Sequence, residues 1–140
     1  MLRFVLASHG KLAEGMRDSI HLILGKSVDI RTICAYTQGP DDVIKEIEQI
    51  FDAFSEEDKI IVMTDLFGGS VSSAFASLLP KRKFWLITGI SLGLVAELLL
   101  IKEEDNIDES IEAALENNRK LMCFYNPLLQ EMADSCDEHC

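Results

Sequence analysis

The stretch Lys59-Ile60-Ile61-Val62-Met63-Thr64-Asp65-Leu66-Phe67-Gly68-Gly69-Ser70 decides the fold. Lys59–Thr64 is an apolar run with almost no polar interruption, as expected of a strand buried on both faces. Asp65–Gly69 is a glycine-bearing loop, and Ser70–Leu79 reads as a helix that Pro80 follows. A buried strand, a loop and then a helix form half of a parallel crossover unit, so the flanking sequence should supply more of the same.

It does so in both directions. Upstream, Leu2–Ala7 is a second apolar run, ended by Ser8-His9-Gly10. A helix follows, with Leu12, Ala13, Met16, Ile20, Ile23 and Leu24 at helical spacing until Gly25 stops it. Ile30–Ala35 is the next strand. Thr37-Gln38-Gly39-Pro40 is a loop whose proline suits the first turn of a helix over 41–54, carried by Val43, Ile44, Ile47, Ile50, Phe51 and Phe54. Downstream, Phe84–Thr88 is a strand, Gly89–Gly93 a turn, Leu94–Lys102 and Ile107–Asn118 helices, and Leu121–Tyr125 a fifth strand. Strands alternating with helices imply right-handed crossovers. The expected class is therefore α/β: an open, mostly parallel sheet of order 2-1-3-4 with helices on both faces. One domain spans 1–125 and a C-terminal tail 126–140.

Composition agrees and narrows the function. The chain has 140 residues, 48% of them apolar and 26% charged, enough to bury roughly two thirds of the unfolded surface in one core. A formal net charge of −11 excludes nucleic acid as a partner, because affinity for a polyanion comes largely from Lys and Arg. Residues 101–140 carry eleven acids against three bases, so the first hundred residues are close to balanced and need not repel a phosphate. The apolar start lacks the length and cleavage site of a signal segment, and the run around Ile87–Ile101 is too interrupted to cross a bilayer. Cys34, Cys123, Cys136 and Cys140 make no CxxC pair, which fits reduced thiols in the cytoplasm, Cys34 and Cys123 as core residues of strands.

In an open parallel sheet, ligands bind beyond the carboxyl ends of the strands where the order reverses. For order 2-1-3-4 that point lies between the first and third strands. The residues past them are Ser8-His9-Gly10 and Asp65-Leu66-Phe67-Gly68-Gly69-Ser70, so a histidine should face a carboxylate. An imidazole with one nitrogen donating to a carboxylate is fixed in tautomer, leaving the other nitrogen as a nucleophile able to attack phosphorus. His9 and Asp65 are the candidate catalytic pair. Backbone amides at Gly10, Gly68, Gly69 and Ser70 are candidate phosphoryl-binding groups, and the Ser70 hydroxyl either binds a phosphoryl oxygen or caps its helix. His21, mid-helix beside the apolar stripe, reads as structural. Cys136, His139 and Cys140 form a small cluster read as tail rather than metal site, and no metal or cofactor is expected.

At these residues the sequence resembles the IIA component of the mannose-family (mannose, fructose, sorbose) phosphoenolpyruvate-dependent sugar phosphotransferase system. The matching elements are the strand ending in Ser8-His9-Gly10, the segment Thr64-Asp65-Leu66-Phe67-Gly68-Gly69-Ser70, and Thr88-Gly89-Ile90 leading into an apolar helix containing Glu97. The resemblance covers residues 1 to about 125. It implies a phosphohistidine at His9, loaded by the phosphocarrier HPr and unloaded by a IIB component, with Asp65 bonded to the histidine and Ser70 helping to hold the phosphoryl group. It further implies a cytoplasmic homodimer that exchanges its C-terminal strand, here Leu121–Tyr125, and reaches the membrane only through the transporter. Leu66-Phe67 and Val71 stand where many relatives have Thr-Trp and Pro, and Ser91 and Gly93 where many have Asn and Pro.

Two other functions compete. The phosphotransferase subunit of dihydroxyacetone kinase shares the fold and an N-terminal histidine, but the Asp-x-x-Gly-Gly-Ser spacing favours sugar transport. Gly89-Ile90-Ser91-Leu92-Gly93 makes a G-x-S-x-G pattern between strand and helix, the context of a hydrolase nucleophile. Its order relative to His9 and Asp65 violates the Ser, Asp, His order of that fold. A nucleotide-binding loop lacks its lysine and its G-x-G-x-x-G run.

Overall fold

A computed structural model describes residues 1–37 and 43–139, with side chains described up to residue 136. The expected turn at Gln38-Gly39-Pro40 and the helix start at Pro40 lie outside the described residues, as do Cys140 and the side chain of His139.

The strands are β1 (Leu2–His9), β2 (Ile30–Ala35), β3 (Lys59–Thr64) and β4 (Trp85–Ile87). All pair in parallel, in the order β2-β1-β3-β4, as the alternation of strand and helix predicts. The helices are α1 (Leu12–Leu24), α2 (Val43–Ala53), α3 (Ser70–Ala76), α4 (Leu92–Leu98), α5 (Ile107–Arg119) and α6 (Tyr125–His139).

Successive residues of a strand point to opposite faces, and the two central strands use both. Leu6 of β1 with Ile61 and Met63 of β3 packs against Ala13 and Ile20 of α1 and Leu94, Val95 and Leu98 of α4. Val5 and Ala7 with Ile60 and Val62 pack on the other face against Ile47 and Phe51 of α2 and Val71 and Phe75 of α3. Every one of these strand residues is at most 1% exposed, which is why the strands read as continuous apolar runs. On the α2–α3 side, Phe84 joins Phe51 and Phe75, with ring centroids 5.2 to 6.2 Å apart, a spacing at which tilted aromatic pairs attract.

Several boundaries differ from expectation. α4 begins at Leu92 rather than Leu94, because Ser91 is extended and its Oγ accepts from the Leu94 amide at 3.2 Å, an N-cap that starts the helix early. Leu121–Tyr125 is not a strand. Residues 121–124 join α5 to α6, and Tyr125 opens a helix through the expected tail. A strand exists only by pairing, and neither edge of the sheet, β2 or β4, pairs with this segment. Cys123 is accordingly exposed rather than in the core, while Cys34 is half-buried on β2. Among the described residues the sheet has four strands.

Candidate functional site

α1 leaves β1 toward one face of the sheet and α3 leaves β3 toward the other, so the carboxyl ends of β1 and β3 flank an open crevice. His9 is the last residue of β1, in register with Ala35 of β2. The chain then turns sharply at Gly10, whose φ of 61° suits a residue without Cβ. The Gly10 amide donates to the Ala35 carbonyl at 2.8 Å, which commits it to the sheet end. Ser8, buried, donates its hydroxyl to the Gly10 carbonyl (3.2 Å) and accepts from the Ala13 amide (2.8 Å), tying the turn to the first turn of α1.

Across the crevice, Asp65 Oδ2 accepts from both the His9 backbone N–H (2.8 Å) and His9 Nδ1 (3.0 Å). A carboxylate only accepts, so Nδ1 carries the proton and Nε2 presents a lone pair. Burial disfavours the charge on Asp65. The two hydrogen bonds from His9 outweigh that and hold the carboxyl below the usual carboxylate range. The Asp65 side chain is 9% exposed and that of His9 37%, a shielded carboxylate beneath a solvent-facing imidazole.

The direction of the remaining bonds follows. Nε2 accepts, so the Ser70 hydroxyl, 3.2 Å away, donates to it, and Ser70 Oγ in turn accepts from the Tyr36 hydroxyl at 2.8 Å. The rings of His9 and Tyr36 lie 5.7 Å apart. Tyr36 is absent from the sequence-based site. Its only sequence signal is its position: directly after β2, neighbour to β1, it sits at the same end of the sheet as His9.

The loop from Asp65 to Ser70 is shaped by its glycines. Gly68 has a φ of 70°. Gly69 would bring a Cβ within 3.2 Å of both His9 Cε1 and Leu66 Cβ, so the imidazole rests against a backbone that no side chain could replace without displacing it. Ser72, buried in α3, donates to the Leu66 carbonyl at 2.7 Å and fixes the loop from below.

The other sequence candidates stand apart from this network. Ser91 is occupied in capping α4, and the following Gly93 lies where a Cβ would come within 3.0 Å of Asn118 Oδ1. The Glu97 carboxylate accepts from Asn117 (2.7 Å) and Asn118 (2.6 Å), joining α4 to α5. His21 Nε2 donates to the Val28 carbonyl at 3.1 Å, the structural part expected of it.

Comparison with known proteins points one way. Residues 3–115 match a family described as the fructose IIA component of the phosphotransferase system. A fructose-specific EIIA component of Bacillus subtilis is 22% identical over 141 residues, covering 99% of this chain and 89% of that protein. A sorbose-specific EIIA component of Klebsiella pneumoniae is 30% identical over 102 residues, 71% of this chain and 73% of that protein. Among solved structures, one from Klebsiella pneumoniae, described as a phosphoenolpyruvate-dependent sugar phosphotransferase system permease, superposes with a TM-score of 0.84 at 37% identity, covering 91% of this chain and 93% of that one. A mannose/sorbose-specific IIA subunit from Enterococcus faecalis, 20% identical, shares the fold with a TM-score of 0.74 over 87% of this chain and 92% of that one.

Proposed function

We propose, from the premise that this chain belongs to the fructose IIA component family of the sugar phosphotransferase system, that its phosphate is carried on His9 Nε2. The chain is a phosphoryl carrier of that system. Its relatives are sugar-transport components, and the dihydroxyacetone kinase alternative is not favoured. IIA components work between HPr and a IIB component, and we take these as the two partners here.

The observation that carries His9 is its pair of hydrogen bonds to one carboxylate oxygen, which leaves Nε2 as the unprotonated, nucleophilic nitrogen. In the step we envisage, the Nε2 lone pair attacks the phosphorus of a phosphoryl group on the donor's imidazole. The donor's P–N bond breaks and its electron pair stays with the donor nitrogen. Nδ1 keeps its proton throughout, so the phosphorylated ring becomes cationic, and the Asp65 carboxylate offsets that charge without taking the proton. The Ser70 hydroxyl swings from Nε2 to a phosphoryl oxygen, and the amides of Gly68, Gly69 and Ser70 are the remaining donors. Gly10 contributes the turn. Unloading to IIB is the same displacement in reverse, and positioning with charge stabilisation is all the protein supplies. Exposed Phe67 and Leu66, at 89% and 56%, flank the site as the surface on which partners dock.

Incubation with HPr, its upstream kinase and phosphoenolpyruvate should place one acid-labile, alkali-stable phosphate on the chain, transferable to a IIB component. A phosphate stable in acid, or none, would exclude a phosphohistidine carrier. Gly69→Ala should keep the fold, since the φ of −73° at this position suits any residue, yet push the imidazole by a few tenths of an ångström. Misplacement on that scale should slow transfer about tenfold, read as a single-turnover rate beside an unchanged circular dichroism spectrum.

Homodimerisation belongs to the same proposal. Leu121, Met122, Phe124, Leu129 and Met132 are 52 to 84% exposed on the segment running into α6, an apolar surface of the kind that marks an interface. A second copy that exchanges this segment would cover it, and sedimentation at twice the chain mass is the expected result. Cytoplasmic localisation is part of this proposal. Among the described residues no helix is long and apolar enough to cross a membrane; in this proposal the chain meets the membrane through the transporter complex.

A further inference from the structure

The geometry points to Tyr36 as a positioning residue for phosphoryl transfer, acting on the phosphoryl group through Ser70. The bond order of the network is one-way. Asp65 fixes the proton on Nδ1, which makes Nε2 an acceptor and the Ser70 hydroxyl its donor. That leaves Ser70 Oγ to accept from the Tyr36 hydroxyl at 2.8 Å. A hydroxyl that accepts one hydrogen bond is a stronger donor of its own, because consecutive bonds polarise one another. When a phosphoryl group takes the Nε2 lone pair, the Ser70 proton must find a new acceptor. Tyr36 holds Ser70 Oγ in place while only the O–H vector turns toward a phosphoryl oxygen.

The backbone supports a functional assignment. Tyr36 has a φ of 65°, an uncommon conformation for a bulky residue that persists where the surroundings enforce it. Its neighbour Ala35 is in register with His9 and accepts from the Gly10 amide. Tyr36 is therefore fixed by the same strand end that fixes the nucleophile. Three elements meet in one chain of hydrogen bonds: β1 brings His9, the start of α3 brings Ser70, and the end of β2 brings Tyr36.

This inference rests on His9 being the phosphorylated residue. The test is a cycle of Tyr36→Phe, Ser70→Ala and the double variant, each loaded from phosphorylated HPr and followed by single-turnover kinetics and by the half-life of the phosphoprotein. Tyr36→Phe keeps the ring and removes only the hydroxyl. The maximal transfer rate should fall about three- to tenfold, the worth of one neutral hydrogen bond. KM for phosphorylated HPr should stay within about twofold, since one hydroxyl contact within the chain, not the docking surface, is removed. The double variant should be no slower than Ser70→Ala alone, because Tyr36 acts through Ser70.

A wild-type rate in Tyr36→Phe overturns the assignment. So does a loss confined to KM, which would make Tyr36 a docking residue, and so do losses that multiply in the double variant. If wild-type protein carries its phosphate elsewhere than His9, both this inference and the proposed function fall; if it carries it on His9 and Tyr36→Phe has no effect, only the inference does.

Discussion

A His9→Ala variant is expected to take up no acid-labile phosphate while staying folded, with its melting temperature lowered by roughly 3–12 °C. The two halves of that result come from different parts of the residue. The imidazole is partly exposed and contributes nothing to either apolar face of the sheet, so its removal opens no core cavity. Asp65 Oδ2 also keeps a partner, because the backbone N–H of residue 9 still donates to it. What is lost is one side-chain hydrogen bond to a carboxylate and one to a hydroxyl, about 1–3 kcal/mol in all. The proposed nucleophile, by contrast, has no substitute among the described residues: His21 donates its Nε2 to Val28, at the far end of α1 from the crevice. Radiolabelling from phosphoenolpyruvate with a thermal melt on the same sample checks both halves. Phosphate persisting in this variant would remove His9 from the mechanism.

Asp65→Asn should be the next most damaging change, with transfer slowed on the order of 10²- to 10³-fold. Asparagine has one oxygen to offer, and the His9 backbone N–H and ring N–H converge on one atom. The substituted side chain can therefore keep both bonds to His9. It loses the charge and, with an NH2 where Oδ1 was, the bond accepted from the Leu66 amide at 3.0 Å. The slowing then measures the carboxylate's stabilisation of the cationic phosphorylated ring together with its hold on the loop.

The same variant predicts a pH signature. Asp65 is held below its usual value in the folded chain, so in the unfolded chain it binds a proton more readily. Its ionised form therefore adds stability at pH values above about 4, and that increment disappears as pH falls through the lower folded value. Wild type should accordingly exceed Asp65→Asn in stability near neutrality, with the gap closing in strong acid. Urea titrations at pH 7 and pH 3 measure it. A gap that widens in acid would contradict the hydrogen-bonded carboxylate.

The central sheet and the pair His9 and Asp65 were legible because each rests on a strong local signal. The apolar runs of β1 and β3 are long and uninterrupted, and the order-reversal rule converts their ends into one site without any knowledge of contacts. Tyr36 was illegible for the complementary reason. A single aromatic after a strand has many uses, and its hydroxyl reaches Ser70 only because of a left-handed backbone that no residue type announces. The start of α4 was misplaced because Gly93 reads as a turn glycine; it lies instead inside the helix, against Asn118 of α5. The segment from Leu121 reads as a strand from its apolar character, but pairing is a property of two segments, and composition describes one. G-x-S-x-G was satisfied by two unrelated needs, a cap at Ser91 and helix contact at Gly93.

One consequence follows from the carboxylate oxygen that binds His9 twice. The last register pair between β1 and β3 is Ala7 with Thr64, and just beyond it Asp65 reaches back to the main chain of His9 in place of a ladder carbonyl. Main chain and ring of the same residue thus hang from one atom, and the ring turns only if the strand end moves with it. In the proposed reaction this carrier meets two imidazoles in succession. Here the orientational entropy of the reacting ring is given up once, when the sheet forms, and does not recur as a cost at either encounter.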